Sequence, residues 1–386
     1  MLPNPSDLRN VLVAVSGQTP AIITETLWAL ERRFATRVDE IRVITTSQGR
    51  DTISSRLFGL DGEFSRFCID YEIPSGRIAF SQKSIYVLKD TGGQDLEDIR
   101  TGEDNVNAAN QVFNFISEWC KRQDECLLCS VAGGRKTLGI YLAMSLMMCG
   151  RSQDKLYHVL VSPAFETGVP DFFYPPPQER FYSRMKKTDS GFVSDSISSE
   201  EAEVELAEIP FLRLRELTGQ AIPFDKGYTA AVAETQLLMN YLQSPPMLTL
   251  ELETRTVKIG HFEFRLSRQL AAVYGLFLLE FNGLGAEGAI ESLFDKRSLL
   301  SDLERQIDRF RMAEMETYAW EKMRDVDEFQ DQIRPCISKV NKTIRQKLGS
   351  SLLASHYAIS IGGKYGVKIQ HFKVLGRKGK TWRRLY

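Results

Sequence analysis

The sharpest chemical signal in the sequence is Gly133-Gly134-Arg135-Lys136-Thr137. It follows the apolar run CLLCSVA (126–132) and precedes the helical run LGIYLAMSLMMCG. Two adjacent glycines let backbone N–H groups approach a ligand closely, and the first turn of the following helix brings partial positive charge. Arg135 and Lys136 add two full charges, so these residue types suit a phosphate. The loop lacks the G-x-x-x-x-G-K-[ST] spacing of a Walker A loop. No G-x-G-x-x-G is read from the sequence either, so no dinucleotide redox cofactor is expected. A tight turn with solvated basic residues is the plain alternative. A second loop, Ser16-Gly17-Gln18-Thr19-Pro20, offers a hydroxyl and an amide. It carries no G-x-S-x-G elbow and none of the four histidines, so Ser16 suits a positioning hydrogen bond to ribose or phosphate better than a protease-type attack. Simple turn chemistry is the alternative there.

Both loops sit where a repeated unit of strand, polar loop and helix would place them. NVLVAV (10–15), IRVITT (41–46), CLLCSVA and YHVLVSP (157–163) read as buried strands, and AIITETLWALERR reads as a helix striped by Ile22, Ile23, Thr26, Leu27 and Leu30. Thr19 is a fitting N-cap with Pro20 in the first turn, and Asp104 can cap the next helix, striped by Val106, Ala109, Val112, Phe113 and Ile116. Strands alternating with helices predict a Rossmann-like α/β domain with a mainly parallel sheet, which binds ligands beyond the carboxyl ends of its strands. The Ser/Asp/Glu-rich stretch 188–203 reads as an exposed loop, and 204–217 closes the domain.

The last third has a different pattern. LTLELETRTVKIGHFEFRL (248–266) alternates as half-exposed antiparallel strands do. A helix follows, then a long charged helical stretch from Leu299 to Asp331, a basic helix over 332–349 and a hairpin over 357–369. That order predicts a winged helix-turn-helix, an α+β domain. The expected division is therefore 1–222, a connecting helix and linker over 223–246, and 247–386. From Ile333 to Tyr386 there are 13 Lys and Arg and no Asp or Glu; the remainder holds 36 basic against 50 acidic residues. Lys339, Lys342, Arg345 and Lys364, with the basic tail from Arg377, are thus candidate contacts to double-stranded DNA. The alternative is a basic surface used for dimerisation or for docking on the acidic part of the protein.

Composition narrows the classes further. Of 386 residues, 43% are hydrophobic and 26% charged, as in globular proteins. No apolar run is long enough to span a membrane, no secretory leader pattern opens the chain, and six cysteines without framework spacing suit a reduced cytoplasmic protein. No metal is expected: the histidines are scattered, and the single CxxC, Cys126 to Cys129, falls in an apolar strand. Arg151 with His158 and Arg255 with His261 match the R-x4–6-H spacing of HEPN ribonucleases, but in or beside strands, where the pair would not converge.

Taken together, NVLVAVSGQTPAIITETLWAL, IRVITTSQG, DIRTGEDN, SVAGGRKT and VELAEIPFLRLREL resemble the CARF domain of CRISPR-associated proteins, nearest to the ring nucleases, over about residues 8–220. The resemblance implies a homodimer that binds a cyclic oligoadenylate, usually the tetra-adenylate, across its two-fold axis. It implies that Ser16 and Lys136, with Arg135 beside the lysine, serve binding and ring cleavage. Gly17, Gln18, Thr19, Thr45, Thr46, Ser47, Gly133, Gly134 and Thr137 then surround the ligand. In such a reaction a ribose 2′-OH attacks its own 3′-phosphate, leaving a 2′,3′-cyclic phosphate. The nucleophile belongs to the substrate, so neither metal nor cofactor is called for. The last third is similar, in architecture only, to the winged-helix domain of response-regulator transcription factors.

Overall fold

The computed structural model describes residues 8–166, 169–188, 191–215, 226–282, 288–307, 320, 323–360 and 364–376. They fall into two compact units: one runs to Arg215 and takes in the start of a helix up to Val232, and the other continues from Ala233. The boundary expected at 222 lies outside the described residues.

In the first unit, β1 (Arg9–Val15) leads into α1 (Ala21–Trp28), which a π-helical turn extends to Arg33. Then come β2 (Glu40–Thr45), α2 (Ser47–Leu57), α3 (Glu63–Asp70) and β3 (Ile85–Val87). They are followed by α4 (Gly102–Trp119), β4 (Glu125–Ser130), α5 (Lys136–Cys149) and β5 (Lys155–Val161). A single turn, α6 (Pro163–Glu166), precedes the hairpin β6 (Phe181–Thr188) and β7 (Gly191–Ser198), and β8 (Val204–Glu208) is last.

The sheet order is β3-β2-β1-β4-β5-β8, with every pair parallel except β5 and β8. Val11 to Val15 are wholly buried, as a strand covered on both faces requires. From β1 the chain steps outward through β2 to β3 and then returns to β4 on the other side of β1. The ends of β1 and β4 therefore lie at the point where the strand order reverses, and the helices that follow diverge around a crevice there.

Several local expectations shift. Pro20 itself takes the cap position of α1, and no side-chain bond closes it. α1 is buried nearly all round rather than striped: Thr24 donates to the Phe173 carbonyl at 2.7 Å, and Glu25 is only 5% exposed. The cause is the segment Phe172-Phe173-Tyr174, which packs into the same core. α4 is capped by Thr101, with Asp104 as its reciprocal partner three residues on, so its first turn starts earlier than expected and Val106 faces outward. Within the stretch 188–203, Gly191–Ser198 is the second strand of an eight-residue antiparallel ladder with Phe181–Thr188, and Ile197 in it is buried. Cys126 and Cys129 are buried in β4, where an offset of three puts them on opposite faces; burial pushes the Cys126 thiol up to about 12.

The second unit takes up α7 (Tyr228–Gln243) from Ala233 on, and then the meander β9 (Leu248–Glu251), β10 (Thr256–Ile259) and β11 (Phe262–Arg265). Next are α8 (Arg268–Glu280), α9 (Ile290–Asp295), α10 (Arg297–Ile307) and α11 (Val326–Leu348). A short hairpin, β12 (Ile359–Ser360) with β13 (Gly366–Val367), precedes β14 (Phe372–Leu375), which adds to the meander parallel to β9. The helix expected to reach Asp331 without a break does not: Met323 to Asp325 are non-helical, and Asp325 caps a new helix that runs on through Pro335. Ile333, Ile337, Val340 and Ile344 bury its apolar stripe. A G-x-G-x-x-G does occur, at 283–288, but it follows the helix α8 instead of a strand, the wrong setting for a dinucleotide turn.

Candidate active site at the strand-order reversal

Ser16 to Thr19 follow β1 and Val131 to Arg135 follow β4, so the two loops meet above neighbouring strands. Glycine makes the meeting possible. A Cβ on Gly17 would come within 3.1 Å of the Gly134 Cα, and one on Gly133 within 2.7 Å of the Val15 carbonyl oxygen. Gly134 also holds φ +74°, which side-chain-bearing residues resist. Thr45, fully buried, donates to the Ser16 carbonyl at 2.7 Å and pins the first loop from below. Thr46 caps α2, and Ser47 donates its N–H to the Leu96 carbonyl at 2.9 Å.

These loops form the rim of a cleft of about 630 Å³. Ser16, Gly17, Gln18, Thr19, Thr46, Gly133, Gly134 and Arg135 line it, together with Gln48 and Asp98. The Ser16 hydroxyl is buried and has no hydrogen-bond partner among the described residues. Such a group is costly unless something satisfies it. Arg135 occupies the cap position of α5, whose first turn no side chain closes, and Asp98 holds its guanidinium by two hydrogen bonds. The pairing keeps the Asp98 carboxyl below its ordinary range. Arg135 also borders a second cleft of about 540 Å³, lined with Lys136, Thr137 and Arg100. Gln18 donates to Gln48 at 3.2 Å, and Gln48 to Glu97 at 2.8 Å, which ties the three loops at the sheet edge.

Other parts of the lining of the first cleft are different in character: Glu25 from α1, His158 from β5 and Glu166 from α6. Burial, and secondarily the charge of Glu166, pushes the Glu25 carboxyl from 4.5 up to about 8. The His158 Nδ1 is buried without a partner among the described residues.

The structure thus brings ten of the expected residues to these clefts: eight to the first, with Arg135 shared, and Lys136 and Thr137 to the second. Thr45 and Ser47 border neither and serve the loop framework instead. Asp98, Gln48, Glu25 and His158 were missed. Asp98 stood inside the quoted DIRTGEDN motif, and Glu25 was visible as one acid three residues from Ile22 on an apolar helix. Among the described residues, no group of three or more His, Cys, Asp or Glu could hold a metal ion, and no helix is long and apolar enough to cross a membrane. Arg151 does not face its spaced histidine; it is buried against Asp154 in a forked pair. Arg255 and His261 flank β10 in separate turns.

In the second unit Lys339, Lys342 and Arg345 occupy the exposed face of α11, opposite its buried stripe, and Lys364 is exposed before β13. The buried Asn341 accepts from the Ile359 N–H and donates to the Ile359 carbonyl, both at 2.7 Å, and so fixes the hairpin to the helix. The basic tail from Arg377 lies outside the described residues.

An open, mainly parallel α/β sheet, with the loops after β1 and β4 meeting at its reversal point, gives the first unit a fold of the doubly wound kind. The family model described as CRISPR-associated protein NE0113 (Cas_NE0113) matches residues 19–237, more than half of the chain, so the chain belongs to that CRISPR-associated family. A comparison with curated proteins found no match. Among solved structures, one similar chain is Csm6 of Enterococcus italicus, bound to cyclic hexa-2′-fluoro-hexa-dAMP. It shares 8% sequence identity, with 88% of this chain and 80% of that chain covered and a TM-score of 0.33. At that level no residue is carried across.

Proposed function

We propose that this protein is a CARF-type ring nuclease. As a cytoplasmic homodimer it binds a cyclic oligoadenylate, cyclic tetra-adenylate by preference, and cleaves it slowly, ending type III CRISPR signalling. The observation that supports this most is that Ser16, with its buried unpartnered hydroxyl, lines one cleft with Arg135 at the uncapped start of α5, while Lys136 lines the adjoining cleft that Arg135 also borders. A 2′-OH attacks the adjacent phosphorus and gives up its proton, the bond to the 5′-oxygen breaks and that oxygen takes up a proton, and the product carries a 2′,3′-cyclic phosphate at one end and a 5′-OH at the other. Ser16 orients the phosphate or ribose. Arg135, Lys136 and the first N–H groups of α5 stabilise the charge that gathers on the phosphoryl oxygens. A preorganised donor there is typically worth ~10²–10³ in rate. Alignment of the attack contributes further, on the order of 7–11 kcal/mol in the best cases. Because the nucleophile is supplied by the substrate, turnover is expected to survive excess EDTA.

The test is chromatography of cyclic tetra-adenylate incubated with the pure protein in EDTA. Linear products with cyclic phosphate ends are expected, and Lys136→Ala is expected to lose both binding and turnover. Cleavage at the wild-type rate by that variant would remove Lys136 from the mechanism, and an intact ligand with the wild type would remove the nuclease.

The exposed basic face of α11 supports a second reading, in which the second unit is a winged helix and the protein is a cyclic-oligoadenylate-responsive DNA-binding regulator without cleavage. Retention of intact ligand together with binding of duplex DNA would favour it.

A further inference from the structure

The lining of the first cleft calls for two kinds of chemistry: Arg135 attracts an oxyanion, whereas Glu166 repels one and the buried Glu25 carboxyl suits a neutral polar group. A ligand that fills the cleft must therefore bring both a phosphate and a neutral polar group, as a nucleotide does. Two buried polar groups of the lining lack partners: the Glu25 carboxyl has no hydrogen bond or ion pair to the described residues, and neither has the His158 Nδ1. Ile22, Leu138 and Val159 add apolar wall to the same cleft. An apolar slot with a few convergent polar atoms is how proteins hold flat heterocycles.

We infer that Glu25 and His158 form a subsite for one base of the ligand, in which the Glu25 carboxyl donates to the N7 of adenine and accepts from its N6 amino group. This rests on the cyclic oligoadenylate reading above. A protonated carboxyl presents one donor beside one acceptor, the pattern by which Gln pairs with adenine N7 and N6. The guanine edge presents two acceptors, N7 and O6, and leaves one of them unmatched. An ionised carboxylate would face N7 with lone pairs alone. Burial holds the Glu25 proton to about pH 8, so the pairing is available at neutral pH. The groups that act on it are few. Glu166 on α6 favours the protonated form, and His158 on β5 shares the cleft, as do Arg135 and Asp98, which are paired to each other. On α3, which also packs against α1, Glu63 pairs with Arg66, and Asp70 pairs with Arg180.

The test measures the dissociation constant of cyclic tetra-adenylate from pH 6.5 to 9 for the wild type, Glu25→Gln and Glu25→Ala, with cyclic tetra-inosinate as the comparison ligand. For the wild type, affinity should fall about tenfold per subsite between pH 7 and 9 as the donor proton is lost. The Gln variant should show a flat profile, and the Ala variant should bind more weakly than Gln by tenfold or more at pH 6.5. Wild type and Gln should reject the inosinate, in which O6 replaces the amino group, while Ala should not discriminate. A flat wild-type profile, or equal discrimination by Ala, overturns the subsite and leaves the ligand reading standing. Failure of the wild type to bind cyclic tetra-adenylate at any pH overturns both.

Discussion

Glu25 carries a stability consequence that needs no ligand. Its carboxyl titrates near 4.5 when free and about 8 in the folded chain, chiefly through burial. Between those values the folded protein keeps a proton that the unfolded chain has released, so folding is favoured at low pH and loses stability as pH rises through about 8. Glu25→Gln removes this dependence. We expect wild type and variant to unfold at similar urea concentrations at pH 4.5, and the variant to be more stable by a few kcal/mol at pH 9. An equal difference at both pH values would show that Glu25 is not held neutral. The residue also marks where sequence reasoning stopped. A stripe of Ile22, Ile23, Leu27 and Leu30 assigns Glu25 to the solvent side, and only the distant segment Phe172-Phe173-Tyr174, folded over α1, puts it inside. Asp98 was hidden for a similar reason: it lies 37 residues from the arginine it holds.

At the scale of elements, the sequence was more legible. A run such as VLVAV has no polar face, and a strand without one belongs inside a covered parallel sheet; β1 is that strand. The polar loops after β1 and β4 were read as a ligand edge on this ground, and the sheet brings them together. What spacing could not convey is how the glycines are used. Their room is taken by the neighbouring loop, with Gly17 against Gly134 and Gly133 against Val15. Gly134→Ala is therefore expected to cost about 1–2 kcal/mol, since its left-handed backbone resists a Cβ, and to displace Arg135 with it. Denaturant unfolding together with ligand titration checks this. Wild-type stability with wild-type binding would mean the loop relaxes freely. The hairpin β6–β7 was misread because a Ser-rich strand lacks the apolar alternation that identifies strands, and its pairing partner Phe181–Thr188 supplies the ladder instead.

For the molecule as a whole, charge is divided between its parts. The stretch from Ile333 onward is wholly basic among its charged residues, and the rest is acidic on balance. Of the described candidates, Lys339, Lys342, Arg345 and Lys364 are all exposed. If they meet a DNA backbone, the logarithm of the binding constant should fall with the logarithm of salt by about 0.9 per phosphate neutralised, or roughly 3–4 for these four. Replacing Lys342 and Arg345 by Glu should reduce that slope by about 2. A flat salt response would leave this surface to protein contacts. One further consequence belongs to the border between the two clefts. The guanidinium of Arg135 already gives two of its five N–H groups to the chain's own carboxylate. If the proposed ligand binds there, its phosphate shares the cation with Asp98 or takes it by trade rather than meeting a bare charge. Such a contest would screen entrants by strength. Chloride or a lone carboxylate would gain little against a forked partner, whereas a phosphodiester held at several other points could complete the exchange and release Asp98 to the water.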